Sequence, residues 1–224
     1  MKTEAPHRST VLRLARRPLL AAGLALLAAA WLPSAQAASG IEQLRAFLTG
    51  TQSAKGEFTQ RVTRRDGAAV GKPSRGSFVF QRPGRFRWIY EQPYEQVLVS
   101  DGQRLWLYDR DLNQVTVRKL AASLPASPAS ILFGANDFER EFEVAEDGAA
   151  DGLAWIAARP RTRDTTFERI RIGFKDGLPA AMELVDSFGQ TSRLAFSKLE
   201  RNPRIEAETF RFVPPKGADV LEEK

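Results

Sequence analysis

The strongest constraint on the fold is a long succession of short segments in which apolar and polar residues alternate. One of them places Phe86, Trp88 and Tyr90 on one face and arginines on the other. Alternation with period two is typical of a strand with one buried face, and the Asp-Gly pairs between segments mark tight turns. The pattern predicts a mainly β protein of about eleven strands: residues 56–64, 77–81, 85–90, 97–100, 105–108, 114–117, 141–145, 154–158, 167–174, 180–186 and 191–199.

The predicted number of strands also indicates how the interior of the protein is filled. About eleven strands are too many to stay flat, so they should curl into a barrel or split into a sandwich. A barrel that large has more interior than its own side chains fill. Only Ile41–Thr49, which has helical spacing, and residues 119–139, which contain Pro125 and Pro128, are available to occupy it. A lidded apolar cavity is one hypothesis, and an ordinary packed core, which alternation alone favours, is the alternative.

The candidate lining of such a cavity is aromatic: Phe78, Phe80, Phe86, Trp88 and Tyr90, with Leu105 and Leu107 beside them. Arg82 stands at the end of an aromatic strand, immediately before Pro83. An arginine at a strand end is usually solvated. If Arg82 points inward, it needs acceptors such as backbone carbonyls of the lid, because burying an unpaired guanidinium is costly.

The N-terminal segment has the pattern of a secretory signal. An arginine-rich start runs into the apolar stretch Leu19–Leu32, whose 14 residues are too few to span a bilayer. The small-x-small pattern that ends at Ala37 predicts cleavage there and a single domain over residues 38–224. An uncleaved anchor is the alternative. General secretion is the expected route, although Arg16-Arg17 leaves twin-arginine export open.

Charge and composition exclude several function classes. The chain has 33 Lys and Arg against 27 Asp and Glu, for a net charge of +6. Without residues 1–37 the counts are 28 and 26 and the net charge is +2, so we predict no nucleic-acid binding. The single histidine is His7, and cysteine is absent. Cysteine and histidine nucleophilic sites, thiolate or imidazole metal sites and cofactors that depend on them are therefore not expected.

The acidic residues suggest no catalytic constellation. Glu139, Glu141 and Glu143 alternate as the solvated face of a strand would. The sequence has no phosphate-binding glycine loop and no nucleophile elbow. We predict that the protein is not an enzyme. A carboxylate-based hydrolase acting on lipid or glycan is the alternative, because the spacing of such carboxylates is set in three dimensions.

A basic stretch is a candidate for docking. Residues 61–87 contain eight basic residues against Asp66 alone. Exposed cations at Arg64, Arg65 and Arg75 could steer the protein to an acidic partner or to anionic lipid. The alternative is that they are solvated outer positions.

Several short motifs follow one another in a specific order. They are Phe58-Thr59-Gln60, Arg82-Pro83 followed by Phe86 and Trp88, Gln92-Pro93, Val99-Ser100-Asp101-Gly102, Leu105-Trp106 with Tyr108, and the segment Phe210–Gly217. Each motif is weak alone, but their order and spacing are specific and cover nearly all of residues 38–224. Together they resemble the LolA family, the periplasmic carriers of outer-membrane lipoproteins in Gram-negative bacteria.

The resemblance implies an incomplete, strongly curved antiparallel β-barrel of about eleven strands with a helical lid over an apolar cavity that holds acyl chains. The family's functional arginine falls on Arg82, which would link the barrel to the lid and couple lid movement to loading and release. The lid would be residues 119–139, with Ile131 and Leu132 facing in. Phe86 and Trp88 match family cavity positions. The prolines of this segment, Pro125 and Pro128, depart from the family's lid, so the resemblance does not set the number of lid helices.

The resemblance also implies partners: acylated lipoproteins as cargo, an inner-membrane ABC transporter as donor and a lipid-anchored outer-membrane receptor as acceptor. An anchored receptor needs a cysteine directly after its signal, whereas this chain has Ala38. We therefore predict a soluble, monomeric periplasmic carrier. The alternative is a lipid-binding regulatory module of envelope-stress signalling, a role that usually brings a second domain.

Overall fold

The computed structural model describes residues 38–120, 138–162 and 167–223. The predicted signal segment, residues 1–37, lies outside the described residues, as does most of the predicted lid, including Ile131 and Leu132. Among the residues described, no helix combines the length and the apolar character needed to cross a membrane.

The predicted N-terminal helix is confirmed as α1, Gly40–Gly50. It begins with a capping box, because the Ser39 hydroxyl accepts the Glu42 N–H and the Glu42 carboxylate accepts the Ser39 N–H. At the other end the Thr51 N–H donates to the Phe47 carbonyl at 3.1 Å. The buried face consists of Leu44, Phe47 and Leu48.

The alternating segments form strands, and the prediction of a mainly β fold is confirmed. Twelve strands of the described chain join in one sheet, in the order β12-β6-β5-β4-β3-β2-β1-β11-β10-β9-β8-β7. Their bounds are β1 Ser53–Thr63, β2 Ala69–Gln81, β3 Arg85–Gln92, β4 Gln96–Asp101, β5 Arg104–Asp109, β6 Gln114–Lys119, β7 Phe142–Ala150, β8 Leu153–Pro160, β9 Phe167–Lys175, β10 Leu178–Asp186, β11 Thr191–Arg201 and β12 Asp219–Glu222.

The twelfth strand, β12, was not predicted from the sequence. It pairs parallel with β6, whereas the other neighbouring strands of the described chain pair antiparallel. All four residues of β12 are exposed. The segment therefore lacks the buried-exposed alternation that identified the others, and the sheet is not purely antiparallel.

The sheet curls around α1 to make one inner core. Phe86 and Trp88 on β3 belong to the same buried cluster as Ile156 on β8 and Ile170 on β9, and Leu44 of α1 lies among them. The two edge strands, β12 and β7, do not pair with each other. The result is an open, curled sheet with one concave apolar face, as the curved-barrel prediction requires.

The prediction that Glu139, Glu141 and Glu143 share the solvated face of a strand is confirmed only for Glu143, which is exposed on β7. Residues Phe138–Glu141 form a short helical turn, α2. The spacing of four residues places Phe138 and Phe142 on the same side, and their rings stack with centroids 4.7 Å apart. Glu139 therefore lies on the helical turn, where its carboxylate accepts from Arg45 at 2.7 Å.

The C-terminal segment covers part of the outer face of the sheet. A 3₁₀ turn at Ala207–Phe210 buries the Phe210 ring, which lies under the guanidinium of Arg85. The Arg87 guanidinium donates to the Thr209 carbonyl at 3.5 Å. Two arginines of the basic stretch are thus engaged by the C-terminal segment.

Candidate functional site

Three of the predicted cavity residues meet in one aromatic cluster on the concave face. Trp88 lies with its ring centroid 4.1 Å from that of Phe58 and 5.4 Å from that of Phe78. Tyr90 meets Phe58 edge-on at 5.1 Å. Trp88 is 2% exposed, and Phe58 and Phe78 are buried as well. This arrangement follows from the alternation of β1, β2 and β3, which directs every second side chain inward.

The other two predicted residues, Phe80 and Phe86, face each other across β2 and β3. Both are buried, and the Phe80 ring lies 6.5 Å from that of Phe47 on α1. All five predicted side chains therefore sit on the concave face, but their rings pack on neighbours. Their role as a cavity lining stays a prediction.

Arg82 points inward. It is 7% exposed, and its Nε donates to the Thr51 carbonyl at 3.0 Å. The guanidinium carbon lies 5.3 Å from the centroid of Phe80 and 5.7 Å from that of Phe47, within cation–π range. Burial lowers the pKa of the guanidinium to about 10, so the group still carries its charge at neutral pH.

The backbone that receives Arg82 is held in place by a distant asparagine. The Asn202 carboxamide oxygen accepts the Gln52 N–H at 2.8 Å, and its nitrogen donates to the Gly50 carbonyl at 2.9 Å. The Arg82 N–H donates to the Gln52 carbonyl at 2.8 Å. Neither Thr51 nor Asn202 was predicted as part of the site, because neither belongs to an alternating or helical pattern.

The predicted lid leaves the sheet beside Arg82. Leu120, the last described residue before the gap, is buried, and its N–H donates to the Gln103 carbonyl at 2.8 Å. Its side chain packs over Gly84 in the β2–β3 turn, 3.0 Å from where a Cβ would stand. Gly84 has φ +69°, which also favours glycine at this position. The start of the lid segment and Arg82 thus share one end of the sheet.

The opposite end of the concave face is a polar opening, which we call the polar mouth. The Tyr90 hydroxyl donates to the Gln60 carboxamide oxygen at 2.9 Å. Burial raises the pKa of the Tyr90 phenol, which keeps it neutral and able to donate. The opening has a volume of about 480 Å³ and is lined by Gln60, Ser74, Tyr90, Pro93, Tyr94, Gln96, Asp109, Asp111 and Leu112.

The three predicted docking residues are exposed. Arg64 and Arg65 lie in the β1–β2 turn, where the Arg65 side chain packs beside Gly189 of the β10–β11 turn. Arg75 lies on β2. Within residues 38–120, 138–162 and 167–223, none of the three forms an ion pair. Arg82 belongs to the same basic stretch, but it is buried and so is not part of this exposed set.

The chemistry of this arrangement is that of an apolar binding surface. It offers aromatic rings, one buried cation and a polar opening. In the part of the chain that the structure describes, no group of three or more acidic or other metal-binding side chains is placed to hold a metal ion.

Sequence comparisons extend the resemblance to whole proteins. The profile of the family described as "Outer membrane lipoprotein carrier protein LolA" matches residues 49–213. An outer-membrane lipoprotein carrier protein of Cupriavidus pinatubonensis is 52% identical over 212 residues, which cover 93% of this chain and 100% of the relative. One of Ralstonia nicotianae is 52% identical over 213 residues, 92% of this chain and 97% of the relative.

A solved structure supports the fold. An uncharacterized conserved protein from Thermus thermophilus superposes with a TM-score of 0.51 at 14% identity, covering 82% of this chain and 96% of that one. At that identity the likeness shows the fold alone. The profile match and the two carriers at 52% identity settle the family: the chain belongs to the LolA family of outer membrane lipoprotein carrier proteins.

Proposed function

We propose that this protein is a soluble, monomeric periplasmic carrier that is exported with residues 1–37 removed as a signal. It accepts acylated lipoproteins from an inner-membrane ABC transporter and delivers them to a lipid-anchored outer-membrane receptor. The observation that carries this proposal is the concave aromatic face with Arg82 buried at the end where the lid segment begins. The family membership supports lipoproteins as the cargo.

The need for a carrier follows from hydration free energies. A lipoprotein with three acyl chains of roughly 15 buried carbons each would expose about 35 kcal/mol of hydrocarbon to water, at about 0.8 kcal/mol per methylene. Spontaneous transfer between membranes is therefore negligible. The concave face offers an apolar surface of the required kind, on which the rings of Phe58, Phe78 and Trp88 pack together.

A carrier of this kind has to open and close. Packed rings hide apolar surface from water, while cargo must displace them, so the two arrangements have to lie within a few kcal/mol of each other. The sequence contains no nucleotide-binding loop. The free energy for loading is therefore supplied by the donor transporter, and the carrier's own affinity is only as high as onward transfer permits.

The proposal is tested by release of lipoproteins from spheroplasts. We expect the purified protein to bring newly made outer-membrane lipoproteins into the supernatant as a one-to-one complex. An unrelated periplasmic protein at the same concentration should release none. Absence of release, with the protein folded and the donor transporter present, would overturn the carrier function. The hydrolase alternative predicts acyl-chain cleavage that disappears in a single Asp or Glu variant, which mass spectrometry of the released lipoprotein would detect.

The regulatory alternative is not favoured. The Cupriavidus and Ralstonia relatives bear the carrier name and match this chain over nearly their whole lengths.

Reversal of the basic docking residues provides a further prediction. We expect the triple variant Arg64→Glu/Arg65→Glu/Arg75→Glu to transfer cargo severalfold more slowly at low salt, because steering of an acidic partner is lost. The difference should shrink at high salt, where exposed charges are screened. The measurement is the transfer rate to the receptor as a function of ionic strength.

A matched control changes the same amount of charge elsewhere. Arg159, Lys175 and Arg201 are also exposed, and their replacement by glutamate should leave the transfer rate close to that of the original chain. Unchanged transfer at low salt by the Arg64, Arg65 and Arg75 variant would refute the docking role of these residues.

A further inference from the structure

The concave face changes character from one end of the strands to the other. Near the β2–β3 turn its inward side chains are buried and most are aromatic or aliphatic, as at Phe80 and Phe86, with Ser100 and Arg82 as buried polar residues among them. Toward the opposite end the same strands present polar side chains. Gln60 faces Ser74 across β1 and β2, while Gln96 faces Tyr90 on one side and Asp109 on the other. The face is thus graded from apolar to polar along the strands.

The polar mouth is joined to the aromatic cluster by one side chain. The ring of Tyr90 contacts Phe58 with a centroid distance of 5.1 Å, while its hydroxyl donates to Gln60 at 2.9 Å in the mouth. An amphipathic ligand whose acyl chains lie against the cluster would place its head in the opening of about 480 Å³. The apolar and polar ends of the concave face therefore match the acyl chains and the head of an acylated molecule.

The electrostatics of the mouth are one-sided. The charged residues of its lining are Asp109 and Asp111. Between them in sequence, Arg110 pairs with Glu95, so its charge is already compensated. The other polar groups are two phenols, a serine hydroxyl and two carboxamides. The Tyr90 phenol already donates to Gln60, whereas the Tyr94 and Ser74 hydroxyls and the two carboxamide nitrogens can donate hydrogen bonds to ester or amide carbonyl oxygens.

We propose that the polar mouth holds the head of the acylated cargo and selects neutral acylglyceryl heads over anionic lipids. This inference rests on the carrier function proposed above. The uncharged donors fit the carbonyl oxygens of a glyceryl ester, while the two carboxylates repel a phosphate or a free carboxylate. Such a repulsive element against the phosphate that phospholipids carry would help a carrier to discriminate its cargo from membrane lipids.

The test compares three ligands with identical palmitoyl chains in the same neutral detergent micelles: dipalmitoylglycerol, dipalmitoyl phosphatidic acid and a lipopeptide. The lipopeptide is a peptide amide of uncharged sequence whose N-terminal cysteine is N-acetylated and carries a dipalmitoylglyceryl thioether. The full chain is produced in a Gram-negative host and purified from its periplasm. We expect it to bind the two neutral ligands at least about tenfold more tightly than phosphatidic acid, which differs from dipalmitoylglycerol only by its phosphate.

The decisive variant is Asp109→Asn/Asp111→Asn. We expect it to bind phosphatidic acid about fivefold more tightly and the neutral ligands within about twofold of the original affinity. Asparagine at position 109 can still accept the Leu112 N–H that Asp109 accepts at 3.1 Å, so the turn should be kept. The matched control is Asp151→Asn/Asp176→Asn, which removes two charges from turns outside the mouth and should keep the original selectivity.

A second variant tests the donors without a change of charge. Gln60→Leu should weaken binding of both neutral ligands about fivefold, with an unchanged melting temperature as the check on folding.

Each outcome has one meaning. Unchanged selectivity in the Asp109 and Asp111 variant would overturn the inference and leave the carrier function standing. Binding of the lipopeptide without binding of dipalmitoylglycerol would overturn the glyceryl head as the recognised group and assign the selection to the peptide. Failure of the original chain to bind the lipopeptide at all would count against the carrier function itself.

Discussion

Replacement of Arg82 by leucine is expected to leave the chain folded and able to take up an acylated lipoprotein, but to slow delivery to the acceptor at least about tenfold. In the original chain the guanidinium joins the end of β2 to the Thr51 carbonyl, at the end of the sheet where Leu120 of the lid segment packs over Gly84. Leucine fills similar space between Phe47 and Phe80 but makes no directional bond. We therefore expect the Arg82→Leu variant to favour the form of the carrier that retains cargo over the form that releases it.

The stability of this variant should be equal to or higher than that of the original chain. Burial opposes the charge on Arg82, as its lowered pKa shows, and replacing a buried charge by an apolar side chain is often neutral or stabilising. Urea unfolding of both proteins measures the difference in their free energies of unfolding. A strongly destabilised variant would show that Arg82 acts mainly in folding.

Two control variants isolate the role of the guanidinium. Arg82→Lys keeps the positive charge and loses the planar group, so we expect delivery between that of the original chain and the leucine variant. Arg85→Leu removes a neighbouring arginine that lies over Phe210 on the outer face, and delivery should be normal. Normal delivery by Arg82→Leu would refute the assigned role.

Truncation of Trp88 should produce the largest loss of stability. The ring is 2% exposed and contacts Phe58 and Phe78 at the centre of the concave face. A buried tryptophan replaced by alanine loses the transfer free energy of the ring and leaves a void, which together cost about 4 kcal/mol. We expect that decrease in the free energy of unfolding of Trp88→Ala, measured with urea.

The same measurement decides between a packed core and an open cavity. Trp106 lies on β5, partly exposed beside Phe212 of the C-terminal segment, so Trp106→Ala should cost only about 1–2 kcal/mol. If Trp88→Ala lowered the free energy of unfolding no more than this control does, the Trp88 ring would border an open space rather than be packed on all sides. The aromatic cluster would then be a cavity wall even without cargo.

The parts of the fold that rest on alternation were predictable. In β3 the buried residues Phe86 and Trp88 alternate with less buried arginines, as the sequence indicates. Period two is imposed by the strand itself, and a one-residue shift would turn the whole set to solvent. Alternation also places Gln60 on the inner face, although it gave no reason to assign Gln60 to a site.

Other parts depend on contacts between residues far apart in sequence. The carbonyl that receives Arg82 belongs to Thr51, and no local pattern distinguishes that carbonyl from its neighbours. The strand β12 is held by pairing with β6 and buries none of its residues, so its sequence shows no alternation that would predict a strand. The turn α2 is stabilised by the stacking of Phe138 on Phe142, whereas the charges between them resembled a strand.

The contact made by Asn202 also makes the backbone around Thr51 depend on a residue that is synthesised late. Its side chain bonds to Gln52, 150 positions earlier, and so completes the backbone on which Arg82 rests. A chain made from its N-terminus has the aromatic strands long before it has this asparagine. The backbone that receives Arg82 is therefore complete only when β11, the last antiparallel strand, has paired with β1.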